Sequence, residues 1–491
     1  MADVVAAALA ASIARPGTAY ASIEQAKEAA ATLAATGACA LCVLRFLRVP
    51  LGPAYQDDAA AAIREALGIT TSDDPAPVCP ACLGTLGPEV ARRAAAEFKS
   101  QCYDTTAVTV AVELPKSVYV RHRAMQLLCT AAPAAPAIDV KDAVRHVVLQ
   151  RLAAECDVVA AIDGEMRIEI TFSHAETADD HQFLAKRPHG PGAGDTKSAI
   201  VAALAACSDD EFRARFPCPP PAPASAAVVS SMVLRRASVF VGGRYLKLER
   251  NISQTPFIVE GRRVTEHSVA EIIGEPLMAL TRSDSYNLVG SGREDADVRM
   301  LGDGRPFYIE CINPRTTQVS PAQIEAVEAA LRERGSPVQV RRLQMVTAAD
   351  TSIIKDGEEN KSKRYCALVW IARPLTAEQL AEINAIGREG LLLQQKTPVR
   401  VLQRRAALTR PRRILALAVE PIAGRFYRAH IESEAGTYIK EFVHGDLGRT
   451  VPSLAGLAGA TADILELDVE NVALDFPPTP TPAPAAAPAA R

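Results

Sequence analysis

The stretch Ser291-Gly-Arg-Glu-Asp-Ala-Asp-Val-Arg-Met-Leu-Gly-Asp-Gly-Arg-Pro-Phe-Tyr-Ile-Glu-Cys-Ile-Asn313 places two acids, Asp295 and Asp297, in a turn ahead of a run that alternates like a strand. Arginines crowd them at 293, 299 and 305. A carboxylate among guanidinium groups stays ionised and is held by charge-assisted hydrogen bonds. That suits a nucleophile working on a polyanion. Such a loop is more often a plain solvated turn, so its meaning depends on what surrounds it.

Outward from this loop, Pro306 to Ile312 reads as a strand, and Ser238 to Val241 as a short strand before Gly242-Gly-Arg-Tyr245. Helices are expected near Val269 to Ile273, from Ser320 to about Arg334, and after the cap Thr376-Ala-Glu-Gln379. Tyr365 to Ala372 is a strand, and Arg413 to Val419 and Phe426 to Glu432 pair through a turn at Gly424. Toward the N-terminus, Ser22-Ile-Glu-Gln25 opens a helix to about Ala35, and Asp57 to Leu67 is a second. Thr105 to Leu114 and Met166 to Phe172 alternate as strands, with Arg121-His-Arg123 entering one helix and Val140 to Ala154 forming another. The class is mixed α/β (α+β). Phe216-Pro-Cys-Pro-Pro-Pro-Ala-Pro-Ala-Ser225 breaks all periodicity and reads as a semi-rigid spacer. It predicts domains over 1–225 and 226–476, followed by a disordered Pro/Ala tail over 477–491.

At 491 residues the chain is too long for one core, and a net charge of −3 carries no global nucleic-acid signal. Any such binding must come from local basic surfaces. No apolar run reaches membrane-spanning length, and no secretory start is present. The eleven cysteines are few and odd in number, against a secreted disulfide scaffold. Four of them form two knuckles, Cys39-Ala-Leu-Cys42 and Cys79-Pro-Ala-Cys82. Each lets two thiolates reach one ion, and the pair completes a four-sulfur structural zinc site with no open position for chemistry.

Three further segments bear chemistry. Lys363-Arg-Tyr365 sets an aromatic at a strand start behind two cations, a pattern that also occurs in ordinary packing. Lys396 to Arg413 holds seven cations and no acid, which suits a polyanion surface. Glu434-Ala-Gly-Thr-Tyr-Ile-Lys-Glu-Phe-Val-His-Gly-Asp-Leu-Gly-Arg449 turns at Gly436 into a helix that carries Ile439 and Lys440 near an apolar face. On spacing alone, Lys440 either snorkels or pairs with a buried carboxylate.

Gly292-Arg-Glu-Asp295 resembles the Gly-Arg-Thr-Asp type of motif that carries the single catalytic aspartate of pseudouridine synthases, and Gly436-Thr-Tyr-Ile-Lys440 resembles the segment that supplies its basic partner. The longer strings Gly292 to Pro306, Arg244 to Pro256, Thr397 to Arg400 with Arg404 to Ala406, and Gly445 to Ser453 resemble the archaeal and eukaryotic tRNA pseudouridine synthase 10 family. The chain departs from that pattern at Gln403, where a histidine is expected, and at Phe257, where tryptophan is common. The resemblance implies a pseudouridine synthase catalytic domain of mixed antiparallel sheet, preceded by a zinc-binding THUMP-like accessory domain. It implies a cofactor-free isomerisation in which uridine's N1–C1′ bond is broken and remade as C5–C1′, at uridine 54 of tRNA and in some members at 55. Asp295 would attack C6 of uracil or C1′ of the sugar, Lys440 would keep it ionised, and Tyr365 would stack on the base and assist removal of the C5 proton. Ile439 and Leu447 would form the apolar wall. Arg293, Arg299, Arg404 and Arg405 would grip the phosphates flanking a flipped nucleotide.

The competing expectation is a non-catalytic zinc-containing scaffold that binds RNA. A zinc deaminase is disfavoured, because no His-x-Glu partner accompanies the cysteine pairs. A monomer in the cytoplasm or nucleus is expected, with an organelle also compatible.

Overall fold

The computed structural model describes residues 1–14, 20–69, 77–129, 137–162, 164–185, 196–403 and 405–479. The chain divides into two compact units, Met1–Arg236 and Ala237–Arg491.

The first unit begins with helices Ala2–Ile13, Ile23–Ala35, Ala40–Phe46, Ala60–Leu67 and Pro88–Gln101. Ser22 caps the second as expected, its hydroxyl accepting from Gln25 N. A four-stranded sheet follows in the order Val159–Ala160, Ala107–Glu113, Met166–Ser173, Val228–Arg236. The first three strands are parallel and the last is antiparallel to its neighbour. Strand Met166–Ser173 alternates buried and exposed, and helix Val140–Cys156 buries Val144, Val147, Val148 and Leu152 in the same core.

The boundary differs from the expected break at residue 225. Strand Val228–Arg236 pairs along its length with Met166–Ser173, so it belongs to the first unit, and the division falls after Arg236. Nor is the proline run a spacer. Phe216 is buried beside Phe183 and Phe212, Arg121 donates to the Pro221 carbonyl at 2.8 Å, and the Glu176 carboxylate accepts from Ala224 N at 2.9 Å. Proline prevents these residues from joining a ladder but leaves their carbonyls available, and the buried Arg121 uses one.

The second unit is built on a ten-stranded sheet. The order is Val338–Val346, Val239–Lys247, Arg299–Ile312, Ala462–Val472, Lys363–Ile371, Phe426–Ser433, Thr409–Ala423, Leu391–Lys396, Thr450–Val451, with Ser285–Gly290 also beside Arg299–Ile312. All pairings are antiparallel except the short contact between Ala462–Val472 and Arg299–Ile312. Helices Val269–Thr281, Pro321–Glu333 and Ala377–Glu389 start at full capping boxes on Ser268, Ser320 and Thr376. The sheet is closely covered. A Cβ on Gly387 would overlap the Leu417 carbonyl, and one on Gly274 would strike the Tyr286 ring, so both positions exclude a side chain. Of the expected tail, residues 480–491 lie outside the described residues, whereas the Pro477 and Pro478 carbonyls accept from Arg342 and Gln344. No described helix is long and apolar enough to cross a membrane.

Candidate active site

The Asp295 loop leaves strand Ser285–Gly290 and enters Arg299–Ile312. Gly292 turns it at φ +83°, where a Cβ would meet the Arg305 guanidinium at 3.2 Å. The loop is fixed from beneath by buried polar groups. Lys247, fully buried, donates from Nζ to the carbonyls of Ile252, Asp295 and Ala296 at 2.8, 2.9 and 3.2 Å. Arg305 donates to Glu294 Oε2 at 2.7 Å and to the Ser291 carbonyl at 2.8 Å. Tyr245 donates to the Glu294 carboxylate at 3.0 Å, and Gln254 donates to Tyr245 Oη and to the Gly292 carbonyl, both at 3.0 Å. Burial pulls the Arg305 guanidinium down, but the charge of Glu294 first, then Tyr245, Tyr365 and the Glu294 hydrogen bond, together carry the net shift upward. Burial pushes the Tyr245 phenol up, with Glu294 adding to the effect. With the Lys247 ammonium it works the other way, and burial pulls it down. Glu294, Lys247, Tyr245 and Gln254 were not singled out as site residues in the sequence. Their only signal was membership of the strings Gly292 to Pro306 and Arg244 to Pro256.

The opposite wall comes from the Gly436–Lys440 segment. Gly436 has φ +75°, which side chains rarely adopt, and a Cβ there would meet the Arg412 guanidinium at 3.1 Å. Buried Gln395 clamps Tyr438, accepting from its N–H at 2.8 Å and donating to its carbonyl at 3.0 Å. Helix Ile439–His444 starts there, and its apolar face anchors Phe442 and Val443 in the core. This places Lys440 in the first turn, with Nζ 3.2 Å from Asp295 Oδ2 and 2.7 Å from Asp297 Oδ2.

A second cation was not foreseen as a ligand of Asp295. Arg400 Nη1 lies 3.1 Å from Asp295 Oδ2, while its Nε donates at 2.7 Å to Glu441, which is buried. Burial pulls the Arg400 guanidinium down, and the hydrogen bond and charge of Glu441, with Asp295, carry the net shift upward.

Asp295, Arg400 and Lys440 line a cleft of 330 Å³ together with Arg293, Tyr365, Arg405, Ile439, Leu467 and Val469. Tyr365 stands in strand Lys363–Ile371 between Ile431 and Val469. Burial pushes its phenol up to about 12, so it is a neutral phenol at physiological pH.

Of the expected site residues, Asp295, Tyr365, Lys440, Ile439, Arg293 and Arg405 meet at this cleft. Leu447 does not. It lies at φ +57° in a turn with its side chain 96 % exposed, and Leu467 and Val469 form the apolar wall in its place. Arg299 is outside the lining as well, engaged by Asp468 at 2.9 and 2.5 Å. Arg404 lies outside the described residues.

In the first unit Cys39, Cys42, Cys79 and Cys82 turn their sulfurs within 4.8 Å of one another, so the cluster can hold a metal ion. Cys39 and Cys42 flank the start of helix Ala40–Phe46. Arg45, one turn on and fully buried, donates to Cys42 Sγ at 3.2 Å and to the Ile138 carbonyl at 2.9 Å.

Comparison with known proteins is consistent across both units. The family profile "Pus10, C-terminal" matches residues 240–473, and "Eukaryotic Pus10, N-terminal" matches residues 79–233. The chain is 36 % identical over 421 residues to the Xenopus laevis protein named tRNA pseudouridine synthase Pus10, covering 82 % of this chain and 81 % of the relative. It is 36 % identical over 422 residues to the Homo sapiens protein of the same name, covering 82 % and 79 %. Among solved structures, a chain of a Cbf5-Nop10-Gar1 complex aligns over 46 % of this chain and 47 % of its own at 16 % identity and a TM-score of 0.26.

Proposed function

The chain belongs to the Pus10 family, and we propose that it isomerises uridine to pseudouridine in tRNA, at uridine 54 with 55 as a second position, using Asp295 as its one catalytic carboxylate. The observation that carries this reading is the pairing of Asp295 with both Lys440 and Arg400, at 3.2 and 3.1 Å, on the wall of a nucleotide-sized cleft.

In this reading the target uridine leaves its stack and enters the cleft. The Tyr365 ring stacks on uracil, and Ile439, Leu467 and Val469 keep water from the reacting face. Asp295, paired with its two cations, acts at C6 of the base or at C1′ of the sugar. The N1–C1′ bond breaks, uracil turns, and C5–C1′ forms. The C5 proton leaves and N1 gains one, so nothing is oxidised. A neutral Tyr365 favours stacking and hydrogen bonding over service as a phenolate base. Arg293 and Arg405, both exposed at the cleft, take the flanking phosphates, with Arg404 as a third candidate.

The cysteine cluster fits a structural zinc ion. A tetrahedron of Zn–S bonds of about 2.3 Å has S···S edges near 3.8 Å, and Cys39 and Cys82 stand 3.8 Å apart. Four thiolates on a divalent ion leave excess negative charge, and the buried Arg45 guanidinium beside Cys42 offsets part of it. The ion would tie Cys39 and Cys42 to Cys79 and Cys82 and so stabilise an accessory THUMP-like module that reads tRNA shape.

Exchange of Asp295 for Asn tests the assignment. Pseudouridine formation on a tRNA transcript is expected to vanish while tRNA binding persists, and substantial remaining activity would refute it.

A further inference from the structure

Outside the cleft, Cys366, His430 and Glu470 converge from three adjacent strands of the second unit's sheet, with their donor atoms within 4.8 Å of one another. Cys366 and His430 are directly opposed in the ladder between Lys363–Ile371 and Phe426–Ser433. Strand alternation puts Cys366 on the face away from Tyr365, whose side chain lines the cleft. Solvent reaches that face, since Arg364, Ala418, Arg428 and Glu466 on it are exposed. The three side chains face one another without hydrogen-bonding. His430 Nδ1 is 4.0 Å from Glu470 Oε2, within ion-pair range of a protonated imidazole but beyond hydrogen-bond reach, and none of the three side chains has a hydrogen bond among the described residues. Three donors of the kinds metal ions take are thus held by one sheet within 4.8 Å of one another.

We propose that Cys366, His430 and Glu470 form a second metal site, for a borderline divalent ion of the zinc or cobalt class. Sulfur, imidazole nitrogen and carboxylate oxygen are the donor types such ions take. Tetrahedral bonds of about 2.0–2.3 Å require donors roughly 3.3–3.8 Å apart, so the observed spacing closes by small side-chain rotations. A thiolate and a carboxylate cancel the charge of a divalent ion, leaving the occupied site neutral on an open surface. Asp468 and Glu420 also act on Cys366 with favourable sign for a cation, and Arg428 opposes them. Asp468 is engaged by Arg299 and Arg250, so the fourth position falls to water. This site lies on the opposite face of the sheet from the cleft that holds Asp295.

The full chain, carrying one equivalent of zinc, would be titrated with cobalt(II) while thiolate-to-cobalt charge-transfer absorption is followed. Wild type is expected to develop the band with one further equivalent of cobalt, and Cys366→Ser and His430→Ala to lose it. Equal thermal unfolding midpoints would show that the variants are folded. Wild type without the band overturns the proposal. So does a band that survives in Cys366→Ser, arising from exposed Cys102 or from exchange into the four-sulfur cluster.

Discussion

Lys440 stands closer to Asp297 than to Asp295. Its ammonium donates to the two Asp297 oxygens at 2.7 and 2.9 Å and lies 3.2 Å from Asp295 Oδ2. Asp297 is not part of the cleft lining, and its side chain is 60 % exposed. Burial pushes the Asp297 carboxyl up, but the hydrogen bond and charge of Lys440 outweigh it and hold it below the usual range. One carboxylate thus anchors the lysine from outside, and the other meets it from within the cleft.

Asp297→Asn should therefore weaken the placement of Lys440 without removing any group assigned to the chemistry. Single-turnover pseudouridine formation is expected to fall by about 10–100-fold, the scale of a misplacement near 1 Å, with tRNA affinity unchanged. A rate equal to wild type would show that Arg400 and the helix alone position the site.

Lys440→Met removes the cation shared by two acids and leaves Asp295 with Arg400 alone. The expected outcome is a large loss in rate with near-normal tRNA binding, partly restored in Lys440→Arg. A loss confined to binding would reassign Lys440 to phosphate contact.

Glu294→Gln tests the buried support of the loop. Glu294 and Arg305 have side chains 1 % and 2 % exposed, so neutralising the acid strands the Arg305 and Lys247 charges beneath Asp295. Breaking such a pair destabilises by about 3–5 kcal/mol. Chemical denaturation should show a lower midpoint for the second unit's transition, and an unchanged midpoint would mean that the loop relaxes to solvate the cations.

Much of this was legible in the sequence, because local rules wrote it. Ser22, Ser320 and Thr376 announced helix starts, and the structure places a cap on each. Asp295 and Lys440 came from motif positions and Tyr365 from an aromatic behind two cations, and the three meet in one cleft. What escaped depended on burial and on partners distant in sequence. Glu294 looks like one more solvated acid until Tyr245, Lys247 and Arg305 close over it. Leu447 looked apolar enough for a wall, but the turn at Gly445 throws it outward. The proline run read as a spacer because proline content reports lost ladder bonds. It does not reveal that Arg121 and Glu176 hold the segment down.

Tyr365 gives the prediction with a defined pH window. Burial disfavours its phenolate, the charge of Arg305 and the nearby Ser433 only partly offset this, and the phenol is pushed up to about 12. In the unfolded chain a tyrosine titrates near 10. Between these values the folded protein keeps a proton that the unfolded chain releases, so Tyr365 lowers stability as pH rises through about 10 to 12 and contributes no slope below. A spectrophotometric titration of wild type against Tyr365→Phe should place the missing phenolate transition near 12, and the acid-to-neutral rate profile should carry no ionisation from this residue. If the difference transition falls at 10, the ring is solvated. The stacking surface for uracil must then be sought elsewhere, and Tyr365→Ala would cost little of the roughly 5–150-fold expected from a lost base stack.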